Sequence, residues 1–188
     1  MNIDELYEIQ KEFDARLIKK KGLEGKDLLP DTVLALQVEI GELANEWRGF
    51  KYWSNDQWPR NNVLVIGDNC GEEKITNPML EEYADCLHLL LSIANLLGLS
   101  GDDLFVSEDE LEGETVVIFT SLLHEVGMLI GDRFLLKAPK NIKREQMRGI
   151  LYTFYNLGEG RLGFTFEQVE KAFLDKNEIN HSRLSNGY

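Results

Sequence analysis

The sequence predicts an all-α protein, and three observations carry that expectation. Apolar residues recur at three- and four-residue spacing along most of the chain. Helix starts and stops (Asn, Asp, Pro, Gly) fall between those stretches, and no segment keeps up the two-residue alternation of a half-buried strand. Apolar residues make up 43% and charged residues 28% of 188, with only 4 Pro, which suffices for one folded domain spanning residues 1–188.

The elements follow in chain order. Ile3, Leu6, Ile9, Phe13 and Leu17 give helical periodicity over residues 3–20, and the Lys-rich end before Gly22 suits a helix C-terminus. A second helix is expected from Pro30–Asp31, with Asp31 as its cap, to Arg48 before a Gly49 stop. Leu36, Ile40, Leu43 and Trp47 form its core stripe. Residues 54–77, rich in Asn, Asp, Gly and Pro, read as a long loop insertion holding one short strand, VLVI. Asn77 as N-cap and Pro78 at the first helical position open an apolar helix that runs through Leu97 to Gly98. An acidic loop is expected over 100–114, then helices at about 115–136, 141–157 and 165–176. The remainder, KNEINHSRLSNGY, is polar and shows no core pattern.

The net charge of -13 argues against a nucleic-acid backbone or an anionic membrane surface as partner. It leaves room for a small polyanion bridged by metal cations. Residues 1–10 show no basic and apolar leader, and no apolar run has the length of a membrane span, so a cytoplasmic location is expected. Cys86, within an apolar helical pattern, reads as a buried free thiol, whereas Cys70 lies in the long loop. LQVEIGELANEW and LLHEVGMLIGDR align Glu39 with Glu125, Gly41 with Gly127 and Glu46 with Asp132, with Met128 in place of Glu42. That echo fits a decayed duplication and the chance likeness of two amphipathic helices equally well.

The chemistry is concentrated in acidic residues. At about 100° per residue, Glu39, Glu42 and Glu46 share one narrow helix face, where like charges repel by roughly 0.2–0.5 kcal/mol per pair. No Lys intervenes between Lys26 and Arg48 to offset them. Glu82 and Asp85 repeat the three-residue spacing on the next long helix. Two such helices packed antiparallel would present four carboxylates to one centre, hard oxygen ligands of the kind that hold Mg²⁺ against substrate phosphates. Two solvated acidic faces would carry the same spacing.

E-x-x-E followed on the next long helix by E-x-x-D resembles the signature of the all-α NTP pyrophosphohydrolases, the MazG-like superfamily. Three blocks in order, VEIGELANEWRGFKYWS, EEYADCLHLLLSIANLLGL and FLDKNEINHSRLSNGY, are similar to its dimeric dUTPase branch and cover most of the helical chain. The resemblance implies a homodimeric helical bundle that hydrolyses dUTP, and dUDP, to dUMP. It implies Mg²⁺ held by Glu39, Glu42, Glu82 and Asp85, with Glu42, or else Glu39, taking the proton of the attacking water; Glu46 is an outer-shell group or only a charged neighbour. By the same likeness Lys176, Asn180 and Arg183 contact phosphate, with Tyr188 closing the motif and Asn177 an alternative to Asn180, from a tail (177–188) that closes over substrate. Lys51 matches a further phosphate contact, Trp53 a nucleoside contact and His88 the deoxyribose. Gln10 matches a base-reading glutamine, and Asp14 stands where the family often has an Asn for uracil. His124 and His181 receive no role. The rival readings are a MazG-type hydrolase of another nucleotide such as dCTP, a non-catalytic nucleotide-binding or regulatory protein on the same scaffold, and a structural bundle with acidic faces.

Overall fold

A computed structural model describes residues 3–66, 73–105, 107–135 and 140–187. Its described residues form six α-helices and one small hairpin: α1 (Ile3–Lys21), α2 (Leu29–Trp47), β1 (Val63–Ile66), β2 (Glu73–Thr76), α3 (Pro78–Leu97), α4 (Thr115–Leu135), α5 (Lys140–Gly160) and α6 (Phe166–Ser185), with a 3₁₀ turn at Gly101–Leu104. The all-α expectation holds, and the expected VLVI strand is β1, which pairs antiparallel with β2 from Val63↔Thr76 to Ile66↔Glu73. None of the helices is long and apolar enough to cross a membrane, among the described residues.

The bundle is built round α3, which packs on α1, α2, α5 and α6. Its sequence explains that position. Met79, Tyr83, Cys86, Leu87, Leu90, Leu91, Ile93 and Ala94 are all buried, so α3 is apolar around most of its circumference, as a central helix must be. Asn77 caps it by accepting from the Leu80 N–H at 3.0 Å, and Gly98 ends it in the left-handed region at φ 68°. Cys86 is the buried free thiol expected; Cys70 lies outside the described residues.

Three expectations about helix ends need correcting. Leu28, not Asp31, is the N-cap of α2; Asp27 Oδ1 accepts from the Leu29 N–H at 3.3 Å, and Asp31 sits in the first turn facing Lys26 at 2.9 Å. The left-handed residue that closes α2 is Arg48 (φ 65°), not Gly49. A non-glycine there is strained. The Arg48 guanidinium offsets that strain by donating to the Asp56 carbonyl at 3.1 and 2.9 Å, which folds the following loop back onto the helix end. Gly49 is small for another reason: a Cβ there would run into the Trp47 ring. Third, α6 does not stop near 176. It runs through the stretch read as a polar tail, with Leu184 buried against the bundle, the Lys20 amine donating to the Leu184 and Ser185 carbonyls, and Arg16 donating to His181 Nδ1 at 2.9 Å.

The two helices that carry the sequence echo pack on each other. α2 packs on α4, where Gln37 donates to the Leu123 carbonyl at 3.1 Å beside Gly127. Glu125 turns toward Thr153 and His124.

Candidate active site

α2 and α3 lie side by side, and their three-residue acidic spacings meet. Glu39, Glu42 and Glu82 each offer a carboxylate oxygen, and these oxygens lie within 4.8 Å of one another. Asp85 is close enough for its charge to act on Glu39 and Glu82, but its Oδ2 accepts from the Lys176 amine on α6 instead of joining the three. Both partners of that pair are mostly sheltered, with side chains 17% (Asp85) and 26% (Lys176) exposed.

Burial and crowding of like charge dominate the electrostatics. The Glu82 carboxyl is pushed up to about 7, first by burial and then by Asp85, Glu39 and Glu42. Glu39 is raised by burial and by Asp85 and Glu42, against the opposing pull of Lys176 and a hydrogen bond from Glu82. A divalent cation would relieve this excess of negative charge. Carboxylate oxygens are the hard donors that such a cation takes, and three of them lie within 4.8 Å of one another. The donor set therefore fits a hard divalent cation, which Glu39, Glu42 and Glu82 could hold. Glu46 is not among the clustered oxygens; its neighbours are Asn45 at 3.5 Å and the Arg60 backbone N–H, which donates to the Glu46 carbonyl at 3.0 Å.

A second polar group lies deeper, between α1, α3 and α6. Gln10, Asp14 and His88 are 3%, 8% and 5% exposed, and they bond to one another. Gln10 Nε2 donates to Asp14 Oδ1 and to Ser92 Oγ, Ser92 Oγ donates to Asp14 Oδ1, each at 2.9 Å, and Asn95 Nδ2 donates to Asp14 Oδ2 at 3.2 Å. His88 stacks on Phe173 with ring centres 3.8 Å apart. Its Nδ1 lies 2.7 Å from Gln10 Oε1 and its Nε2 3.1 Å from the Phe173 carbonyl.

Those two contacts place both imidazole nitrogens against acceptors, yet burial pushes the ring down to about 4, so near pH 7 it has one proton to donate. The conflict resolves if the Gln10 amide is turned over, since its oxygen and nitrogen are alike in shape. Its NH₂ then donates to Nδ1 while Nε2–H donates to Phe173. Asp14, which accepts from Ser92 on one oxygen and from Asn95 on the other, has its pKa raised chiefly by burial. Asp14 is thus engaged within the fold on both oxygens.

The remaining expected residues divide by place. Lys176 reaches the carboxylates. The adjacent Asn177 has a buried Oδ1 without a hydrogen-bond partner. Asn180 is half-buried farther along α6, and Arg183 is on its exposed side. Lys51, past the end of α2, donates to Asn45 Oδ1 at 2.5 Å and lies 5.8 Å from the Phe50 ring centre. Trp53 is 66% exposed, with edge contacts to Phe50 and Tyr52. Trp47 is half-buried against Phe119, as its stripe implied. Tyr188 lies outside the described residues.

Ser92, Asn95 and Phe173 were missed by the sequence reading. The first two had left a signal: Asp85, His88, Ser92 and Asn95 recur at spacings of three and four along a helix otherwise apolar on that side. A cleft of about 400 Å³ between α3, α5 and α6, lined by Tyr83, Leu87, Tyr155 and Phe164 among others, holds none of the clustered carboxylates.

A family model described as dUTPase matches residues 2–66 and 69–188, and so spans every position discussed above. No curated protein matches the chain.

Proposed function

The chain belongs to the all-α dUTPase family, hydrolases that act on dUTP with a divalent metal, and we propose that it does so with Mg²⁺ at Glu39, Glu42, Glu82 and Asp85 and also accepts dUDP. The observation that carries this reading is the convergence of Glu39, Glu42 and Glu82 from two helices inside a family match of nearly full length. In this reading the bound cation neutralises phosphate charge as it builds up. Glu42, the most exposed of the three, orients the attacking water and takes its proton as the water oxygen bonds to phosphorus. Pyrophosphate leaves from dUTP, or phosphate from dUDP, and dUMP remains.

The other roles are proposals of the same kind. Lys176, Arg183 and Lys51 compensate phosphate charge, Arg183 through its planar fork, while Asn180 hydrogen-bonds to phosphate and Tyr188 closes the motif. Trp53 packs on the nucleoside. His88 and Gln10 face the deoxyribose and base, and Asp14 acts on the base through the Gln10 amide it holds. A homodimer is part of the reading; the exposed Leu34 and Val38 on the outer side of α2, beside the open surface at Gly41, support it.

A substrate panel tests the proposal: turnover of dUTP, dUDP, dCTP, dTTP and UTP, each with Mg²⁺ and after its removal by chelation. The expected outcome is rapid release from dUTP and dUDP only, and only with Mg²⁺. Preferred turnover of dCTP, or dUTP turnover untouched by chelation, would sink it.

A further inference from the structure

We propose that Lys176 is a placeholder cation that keeps Asp85 out of the metal site until nucleotide arrives, so that one amine couples metal binding to nucleotide binding. The inference rests on the reading of the carboxylates as a metal centre. Its starting point is an asymmetry. Glu82 and Asp85 sit one turn apart on α3, both beside Glu39, yet only Glu82 turns its oxygen to the Glu39–Glu42 pair. Asp85 Oδ2 is held by the Lys176 amine, which comes from α6, a different element packed on α3.

Three features make this contact more than a surface ion pair. Its members are mostly sheltered from water, so breaking it without replacement leaves a poorly solvated charge on each side. The Lys176 charge also acts on Glu39, Glu82 and His88, so the amine stands over the carboxylates and the neighbouring buried group at once. Phe173, one turn earlier on α6, is fully buried with its carbonyl 3.1 Å from His88 Nε2, which fixes where α6 presents Lys176.

The consequence is competition followed by exchange. A univalent ammonium balances one carboxylate of four. A divalent cation entering alone must either use three carboxylates or displace Lys176 from Asp85, leaving the amine without a partner. A nucleotide supplies that partner: its phosphate oxygens accept from the Lys176 amine, Asp85 is released to the cation, and each ligand strengthens the other. Coupling of this kind is reciprocal and commonly amounts to about 5- to 150-fold.

A double-mutant cycle on metal binding tests it without turnover. Mg²⁺ affinity is measured by calorimetry at fixed pH, without nucleotide, for the wild type, Lys176→Met, Asp85→Asn and the double variant. Circular dichroism confirms that each is folded, and Lys176→Gln serves as a second version. The expected result is that Lys176→Met tightens Mg²⁺ roughly tenfold. Asp85→Asn alone changes affinity by less than about twofold, and in the Lys176→Met background it removes the gain. If Asp85→Asn weakens Mg²⁺ by the same factor in both backgrounds, Asp85 is already a ligand and the placeholder role is wrong. Unchanged or weaker binding in both Lys176 variants contradicts it equally. If none of the four proteins binds Mg²⁺, the metal reading itself fails and the placeholder falls with it.

Discussion

His88 shows how much one buried side chain can report. Its folded pKa of about 4 lies below the ordinary 6.5, so it contributes no pH dependence well above 6.5. Below that value the unfolded chain takes up a proton that the folded chain refuses, and stability falls until the folded ring protonates near 4. Asp14 acts in the opposite sense: its raised pKa makes burial unfavourable above the ordinary 3.8, and the penalty fades as pH falls. Wild type should therefore lose about 2 kcal/mol more than His88→Gln between pH 7 and pH 5 in urea unfolding, because each pH unit below 6.5 costs the folded state about 1.36 kcal/mol. Parallel profiles would mean that the imidazole enters the fold charged. The glutamates themselves were legible at this scale, because repulsion without intervening Lys is visible in one dimension. The sharing of Asp14 among Gln10, Ser92 and Asn95, and the capture of Asp85 by Lys176, were not. Apart from the Gln10 bond within α1, these contacts join residues about 80 or more positions apart, and spacing along one helix carries no information about a partner on another.

At the scale of elements, α3 and α6 make the contrast. α3 could be read end to end from an Asn-Pro start, a continuous apolar body and a Gly stop. α6 could be read only as far as its apolar stripe, near Lys176. Beyond that, Leu184 is the buried apolar anchor, while Ile179 is 47% exposed, and polar contacts to α1 hold the helix: Lys20 on the last carbonyls and Arg16 on His181, itself edge-on to Phe13 at 5.0 Å. Tertiary contacts of that kind sustain a helix that periodicity does not reveal. The last turns of α6 are thus a docked rod, with consequences for stability. Leu184→Ala should destabilise the protein by roughly 2–3 kcal/mol in urea unfolding, as for a buried leucine. A loss below ~0.5 kcal/mol would show that the segment is undocked in solution. The Arg48 turn was missed for a related reason: nothing local marks an arginine as left-handed, and the carbonyl that holds it there belongs to Asp56.

For the whole molecule, the fold is a device for bringing two short acidic motifs together. α2 and α3 supply the carboxylates, α4 and α5 pack on those two helices, and α1 and α6 pack on α3 with the Gln10–Asp14–His88 group between them. Fold class, helix order and the acidic convergence were readable from the chain because each rests on pattern within an element. How the fourth carboxylate is engaged was not, because it depends on where α6 crosses α3. The central claim is that these carboxylates are the reaction centre, and Glu42 tests it most directly: as the most exposed of the three clustered glutamates, it has less packing to lose than its partners. The deciding measurement is the steady-state turnover of dUTP by Glu42→Gln in saturating Mg²⁺, with thermal unfolding to verify the fold. With Glu42 as the proposed general base, its replacement should lower kcat by roughly 10²–10⁴ with the unfolding transition in place; turnover as fast as wild type would contradict the account.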